Sequence, residues 1–168
     1  MAGNDRPETT KTAAGRRIEE YCTEEVWRQG HNIHIQEGQE RVRWMMEAWT
    51  FARRLAERNE PVTVDAIEKI GKFVEQVENR KGFRTRPVMI AGHLRAQPKD
   101  EIRTQLTELC GRQTDLPALE WYKEFEHVHP FIDGNGRTGK VLLAWLTATW
   151  DDPAFPPADL FGRPIRNP

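Results

Sequence analysis

The chain has 168 residues, 38% of them hydrophobic, which suits one compact domain with a core of its own. Its 25 basic and 26 acidic residues leave a formal charge of −1, so no overall basic surplus points to nucleic acid. Cys22 and Cys110 are too few and too far apart for a disulfide scaffold, and neither a membrane span nor a secretory signal is visible, so the expectation is a soluble, cytoplasmic protein with reduced thiols.

Residues 1–15 are small and polar and read as a mobile segment ahead of one domain, 16–168. A short helix is expected over 16–28, with Ile18, Tyr21, Cys22 and Trp27 partly buried. Over 39–58, Val42, Met45, Met46, Trp49, Ala52 and Leu55 recur three and four apart, the spacing of one buried helical face. Pro61 ends that segment. Thr63 is a good N-cap for the next helix, whose stripe of Val64, Ile67, Ile70, Phe73, Val74 and Val77 reaches to about Arg80.

The rhythm breaks over 82–92, where Phe83, Pro87, Val88, Met89 and Ile90 lie between two glycines. Pro87 excludes an interior strand, which leaves an edge strand of a short hairpin or an ordinary loop. Pro98 opens a helix bearing Ile102, Leu106 and Leu109, with Gly111 as its stop. Pro117 opens another, which carries Leu119, Tyr122, Phe125, Glu126 and Val128 up to His129. From Val141 to Trp150 the chain is apolar on nearly every side, as a helix at the centre of a bundle would be. Residues 152–168 contain five prolines and read as an irregular tail.

Between the last two helices runs His129-Pro130-Phe131-Ile132-Asp133-Gly134-Asn135-Gly136-Arg137-Thr138-Gly139-Lys140. A helix N-terminus exposes unpaired N–H groups and a positive dipole end, and so attracts phosphate. Gly134 and Gly136 let the backbone approach an anion, and Arg137 adds a planar fork for phosphate oxygens. Asp133 can hold Mg²⁺ through one carboxylate oxygen, and a neutral His129 can take a proton from a hydroxyl. The sum is a phosphate-transfer site with a general base. A His127–His129 metal pair lacks further clustered ligands. A P-loop reading of Gly134-x-x-x-x-Gly139-Lys140 fails, because Val141 replaces the Ser/Thr and a helix precedes the loop.

This run resembles the Fic family motif, His-x-Phe-x-Asp/Glu-Gly-Asn-Gly-Arg-x-x-Arg, at every position but the last, where Lys140 stands for Arg. The order of elements over roughly residues 42–150 is similar to the Fic core as well. The resemblance implies an all-α Fic (Fido) core with a β-hairpin flap, and transfer of AMP from ATP, with Mg²⁺, to a Tyr, Thr or Ser hydroxyl of a target protein. It makes His129 the base, Phe131 the anchor of the loop and Asp133 the Mg²⁺ ligand. It makes Gly134, Asn135 and Gly136 the anion hole and Arg137 the clamp on the outer phosphates. The flap, from Phe83 to Ile90, would align the target segment by strand addition. Lys140 would reach the terminal phosphate as a point charge without a fork.

Two alternatives stand beside that expectation: transfer of another phosphate-bearing group (phosphoryl, UMP or phosphocholine), and a nucleotide-binding module without transfer. Gly134 and Gly136 argue against the phosphorylating branch of the family, and His129 beside Asp133 argues against pure binding. Many Fic proteins carry a restraining helix with Ser/Thr-x-x-x-Glu-Gly/Asn, whose Glu pairs with the second arginine. The nearest copy here, Ile33-His34-Ile35-Gln36-Glu37-Gly38, has Ile33 in place of Ser/Thr. Glu37 reads either as its relic or as part of a plain loop, so a separate inhibitor (antitoxin) protein and an unrestrained enzyme are both expectations.

Overall fold

The computed structural model describes residues 11–161. Its elements in chain order are α1 (Ala13–Arg28), α2 (Gln36–Glu57), α3 (Val64–Val74), β1 (Val88–Ile90), β2 (His93–Arg95), α4 (Lys99–Gly111), α5 (Ala118–Val128) and α6 (Asn135–Thr147). The fold is all-α with one two-stranded antiparallel hairpin. Two helices begin at threonine caps: Thr12 Oγ1 accepts from the Gly15 N–H, and Thr63 Oγ1 from the Ala66 N–H. The Thr12 cap sets the start of α1 at Ala13, so residues 11–15 belong to the domain and not to a mobile lead. Residues 1–10 of that expected segment lie outside the described residues.

α6 occupies the centre and packs against α2, α3 and α5. Its Val141 and Leu142 share a core with Met45, Trp49 and Ala52 of α2, Ile67 and Ile70 of α3, and Trp121 and Phe125 of α5. The spacing expected for α2 therefore marks its buried face. Trp27 does not follow the expectation for α1; it is 54% exposed, while Tyr21 and Cys22 turn inward. Residues 152–161 hold no helix or strand, yet Phe155 stacks on Tyr21 with ring centroids 4.4 Å apart.

Two expectations about length are corrected. α3 stops at Val74 instead of running to Arg80, and Val77 is 60% exposed. Glu75 leaves helical geometry and turns its carboxylate into the interior, where Arg41 and Arg137 meet it. The Gly71 carbonyl accepts the last helical bond, from the Glu75 N–H at 3.2 Å, and a second one from the Asn79 side-chain amide at 3.1 Å, which binds the chain after α3 back onto the helix. The hairpin is also shifted from the expected 83–90. Only Val88–Ile90 of that span is strand, paired with His93–Arg95 through Ala91 and Gly92, both at positive φ. Phe83 and Arg84 are buried, so they root the flap in the core and are not part of its edge.

Candidate functional site

α5 ends in His129, which adopts the left-handed conformation (φ 49°, ψ 63°). The proline that follows disfavours helical geometry at this position, so the helix must end here and the chain must turn. The turn is held from outside. Arg84 donates from Nε to the His129 carbonyl at 2.8 Å, and its N–H donates to the Pro130 carbonyl at 2.9 Å. Its guanidinium also reaches the Val128, Arg86 and Gln97 carbonyls and the Gln97 side chain. One buried arginine thus ties both feet of the hairpin to the end of α5. The His129 ring lies 3.4 Å from the Glu126 carbonyl through Nδ1. Donation from Nδ1 to that carbonyl leaves Nε2 as the proton acceptor. Burial lowers the pKa of the ring to about 4, so it is neutral at physiological pH.

Phe131 follows, fully buried, with its ring against the Gly71 Cα of α3; a β-carbon on Gly71 would lie 2.1 Å from that ring. The Phe131 N–H and carbonyl both bond the Asn135 side chain at 2.9 Å, closing the loop. The Asn135 amide is therefore a brace of the loop, and only its backbone N–H faces the helix tip. Gly134 caps α6 in the left-handed conformation (φ 74°), and a β-carbon there would meet Val74 at 2.9 Å. Among the described residues, the N–H groups of Asn135, Gly136 and Arg137 have no acceptor, as befits a first turn. The Gly134 N–H is already used: it donates to Asp133 Oδ1 at 2.6 Å.

Asp133 is fixed on three sides. Asn79 donates to its carbonyl at 2.8 Å, Gly134 holds Oδ1, and Arg137 approaches Oδ2 at 3.4 Å. Its side chain remains 43% exposed. Arg137 does not sit where the sequence puts it. Its guanidinium has no exposed surface, donates to the Val74 carbonyl at 2.9 Å and pairs with buried Glu75 at 3.4 Å. In this conformation it is an internal strut beneath the loop and offers no open fork. Lys140 is likewise enclosed, 8% exposed, with Nζ 3.3 Å from Glu25 and 3.0 Å from the Tyr122 hydroxyl.

This geometry joins a histidine on a left-handed helix end, a glycine-capped helix tip and a hairpin bolted beside them. The Fic/DOC family model matches residues 61–147, a little over half of the chain. The chain belongs to the Fic/DOC family. The Fic fold is also seen by comparison with solved structures. Fic-1 of C. elegans gives a TM-score of 0.63 at 18% identity, over 88% of this chain and 54% of that one. A variant of the same Fic-1 fragment gives 0.60 at 20% identity, over 86% and 53%. A Fic family protein from Desulfovibrio desulfuricans G20 gives 0.60 at 14% identity, over 80% and 48%. The chain spans about half the length of these proteins.

Several residues of this Fic site were invisible to sequence reasoning. Glu25, on α1, is the partner of the motif's last basic residue, yet Tyr21 stands four before it and no restraining pattern surrounds it. Glu37, for which the sequence left a relic or a plain loop open, pairs with Arg41 at 2.8 Å with its side chain 68% exposed. Gln29 bonds Glu25 at 2.9 Å and lies over Gly136, where a β-carbon would meet its Nε2 at 2.6 Å. The end of α1 thus walls the outer side of the helix tip. Asn79, Glu75 and Arg84 all come from the segment read as helix or flap, and no local pattern distinguishes a buried polar brace from a surface residue.

Proposed function

We propose that this Fic protein transfers AMP from ATP to a hydroxyl side chain of a target protein. Fic family proteins are in general transferases. The observation that carries the proposal is the half-buried His129 ring, with Nδ1 3.4 Å from the Glu126 carbonyl, at the start of the loop that ends in the free first-turn amides of α6. In the reaction, the acceptor hydroxyl gives its proton to Nε2 as its oxygen bonds to the α-phosphorus. The bond from that phosphorus to the oxygen bridging to the β-phosphate breaks, and pyrophosphate leaves. The amides of Asn135, Gly136 and Arg137 face charge that builds on the phosphate oxygens.

Mg²⁺ fits the residues present in a limited way. Among the described residues no cluster of three or more His, Cys, Asp or Glu side chains could hold a metal ion. A half-exposed Asp133, fixed by Gly134 and Arg137, suits an ion held by one carboxylate, the nucleotide and water. That ion would neutralise phosphate charge.

The test is to incubate the purified chain and its His129→Ala variant with Mg²⁺ and α-labelled ATP in cell lysate. Label should appear on protein with the parent chain and fall about 10²–10⁴-fold in the variant. Label from γ-labelled ATP instead would mean phosphoryl transfer, and nucleotide binding without any label would mean a binding module.

A further inference from the structure

A cavity of about 580 Å³ opens between the hairpin root and the loop after α3. Five of its lining residues are basic (Arg80, Lys81, Arg84, Arg86 and Lys99) and one, Glu78, is acidic, on a chain whose formal charge is −1. Arg84 is occupied internally, which leaves four cations at the mouth. Arg80 and Lys81 are exposed, and their side chains have no ion pair among the described residues. Arg86 has only Glu78, at 3.7 Å with both side chains largely in solvent. Lys99 is 3.9 Å from a Glu68 that Arg103 holds more closely, at 2.6 Å. Some arginines elsewhere on the surface are matched closely, Arg53 with Asp151 at 2.6 Å and Arg112 with Glu124 at 2.8 Å, and loosely paired ones such as Arg17 and Arg43 do not line this cavity. Like charge gathered here repels itself.

The wall is not only charged. Val77, 60% exposed, and Ile132, three residues past the base, also line it. Arg84 belongs both to this wall and to the hydrogen bond on the His129 carbonyl. β1 begins two residues after Arg86, so a segment lying along the hairpin edge continues into the cavity. Its one aromatic lining residue, Phe83, is buried and offers no face for stacking a base, which disfavours single-stranded nucleic acid.

We infer, building on the transferase reading above, that this cavity docks an acidic segment of the target protein, so that the modified hydroxyl is flanked by Asp or Glu. The four cations steer and orient that segment, and Val77 and Ile132 take an apolar neighbour.

The test uses fluorescein-labelled peptides centred on Tyr, Thr or Ser and flanked either by Glu and Asp or by Gln and Asn. Binding to the full chain is read by anisotropy without nucleotide. The acidic set should bind on the order of 10-fold more tightly at low salt, and the preference should disappear at high salt. It should also disappear in Arg80→Glu/Lys81→Glu and, independently, shrink in Arg86→Glu; these are exposed positions whose change leaves the core intact. Equal affinity for the two sets, or a preference unchanged in both variants, would overturn the inference. So would a single-stranded oligonucleotide of matched charge that binds more tightly than the acidic set and is released by the same substitutions. Adding α-labelled ATP separates this idea from the function it builds on. An acid preference with no label on any peptide supports the docking site and sinks the transferase reading; label without acid preference does the reverse.

Discussion

Burial, and not the nearby carboxylate, sets the protonation state of His129: removal from water is the largest cause of its lowered pKa, and Asp133 opposes it only weakly. The folded ring stays neutral down to about pH 4, whereas an unfolded histidine titrates near 6.5. Transfer activity should therefore stay level as pH falls through 6.5 (about the free histidine value) and decline only toward about 4. An acid limb centred on the free histidine value in a pH–kcat/KM profile would contradict the burial seen here. Stability carries the same sign. Below the free value the unfolded chain binds a proton that the folded chain does not, so stability from this group is lost as pH drops toward about 4. Lys140 gives a second residue-scale prediction. Glu25→Gln removes the anion beside a buried lysine, and breaking such a pair typically costs about 3–5 kcal/mol. MgATP would supply a replacement anion, so the variant should show a lower Tm alone and a larger rise on adding MgATP than the parent. Equal MgATP-induced shifts would mean that Lys140 does not meet the triphosphate.

At the scale of elements, the motif loop is positioned by what lies beneath it. Phe131 seats on α3 only because Gly71 has no side chain. Gly71→Ala should force the ring to move, costing about 1–3 kcal/mol in urea unfolding and lowering label transfer along with it. An unchanged midpoint would show that the ring has another place to go. The hairpin is a flap with buried roots: Arg84 fixes its feet, and Arg95 of β2 lies 3.2 Å from the His127 ring of α5. Pro87 and the flanking glycines made an edge strand legible, but not its register. The turn at Ala91 and Gly92 puts an alanine at positive φ, where glycine or asparagine is the usual signal.

Across the whole molecule, α1 and α2 lie outside the residues that match the Fic/DOC family model, yet α1 closes the outer side of the site. Cys22 reports on that docking. It is fully buried and its thiol is pushed upward in pKa by burial, while Cys110 is half-buried and pushed up to about 11. Since the thiolate is the reacting form, Cys22 should resist a thiol reagent in the folded protein and become labelled only as the chain unfolds. Fast labelling under native conditions would mean that α1 leaves the bundle readily. No helix among the described residues is long and apolar enough to cross a membrane.

The sequence alone was enough for most of the frame. Apolar patterning pointed to six helices, Thr63, Pro98 and Pro117 marked the starts of three, and twelve consecutive letters assembled the glycine-capped tip with its histidine and aspartate. These are local properties, fixed by backbone geometry and side chains only a few residues apart. Tertiary structure decided the rest: that α3 ends at Val74, that Arg137 is a strut, that Glu25 faces Lys140 and that Arg84 ties the hairpin to His129. Each of these brings together charged or polar groups far apart in the chain, and burial makes such groups choose partners. A charged side chain has no periodicity to announce its partner, so only the folded chain could name it.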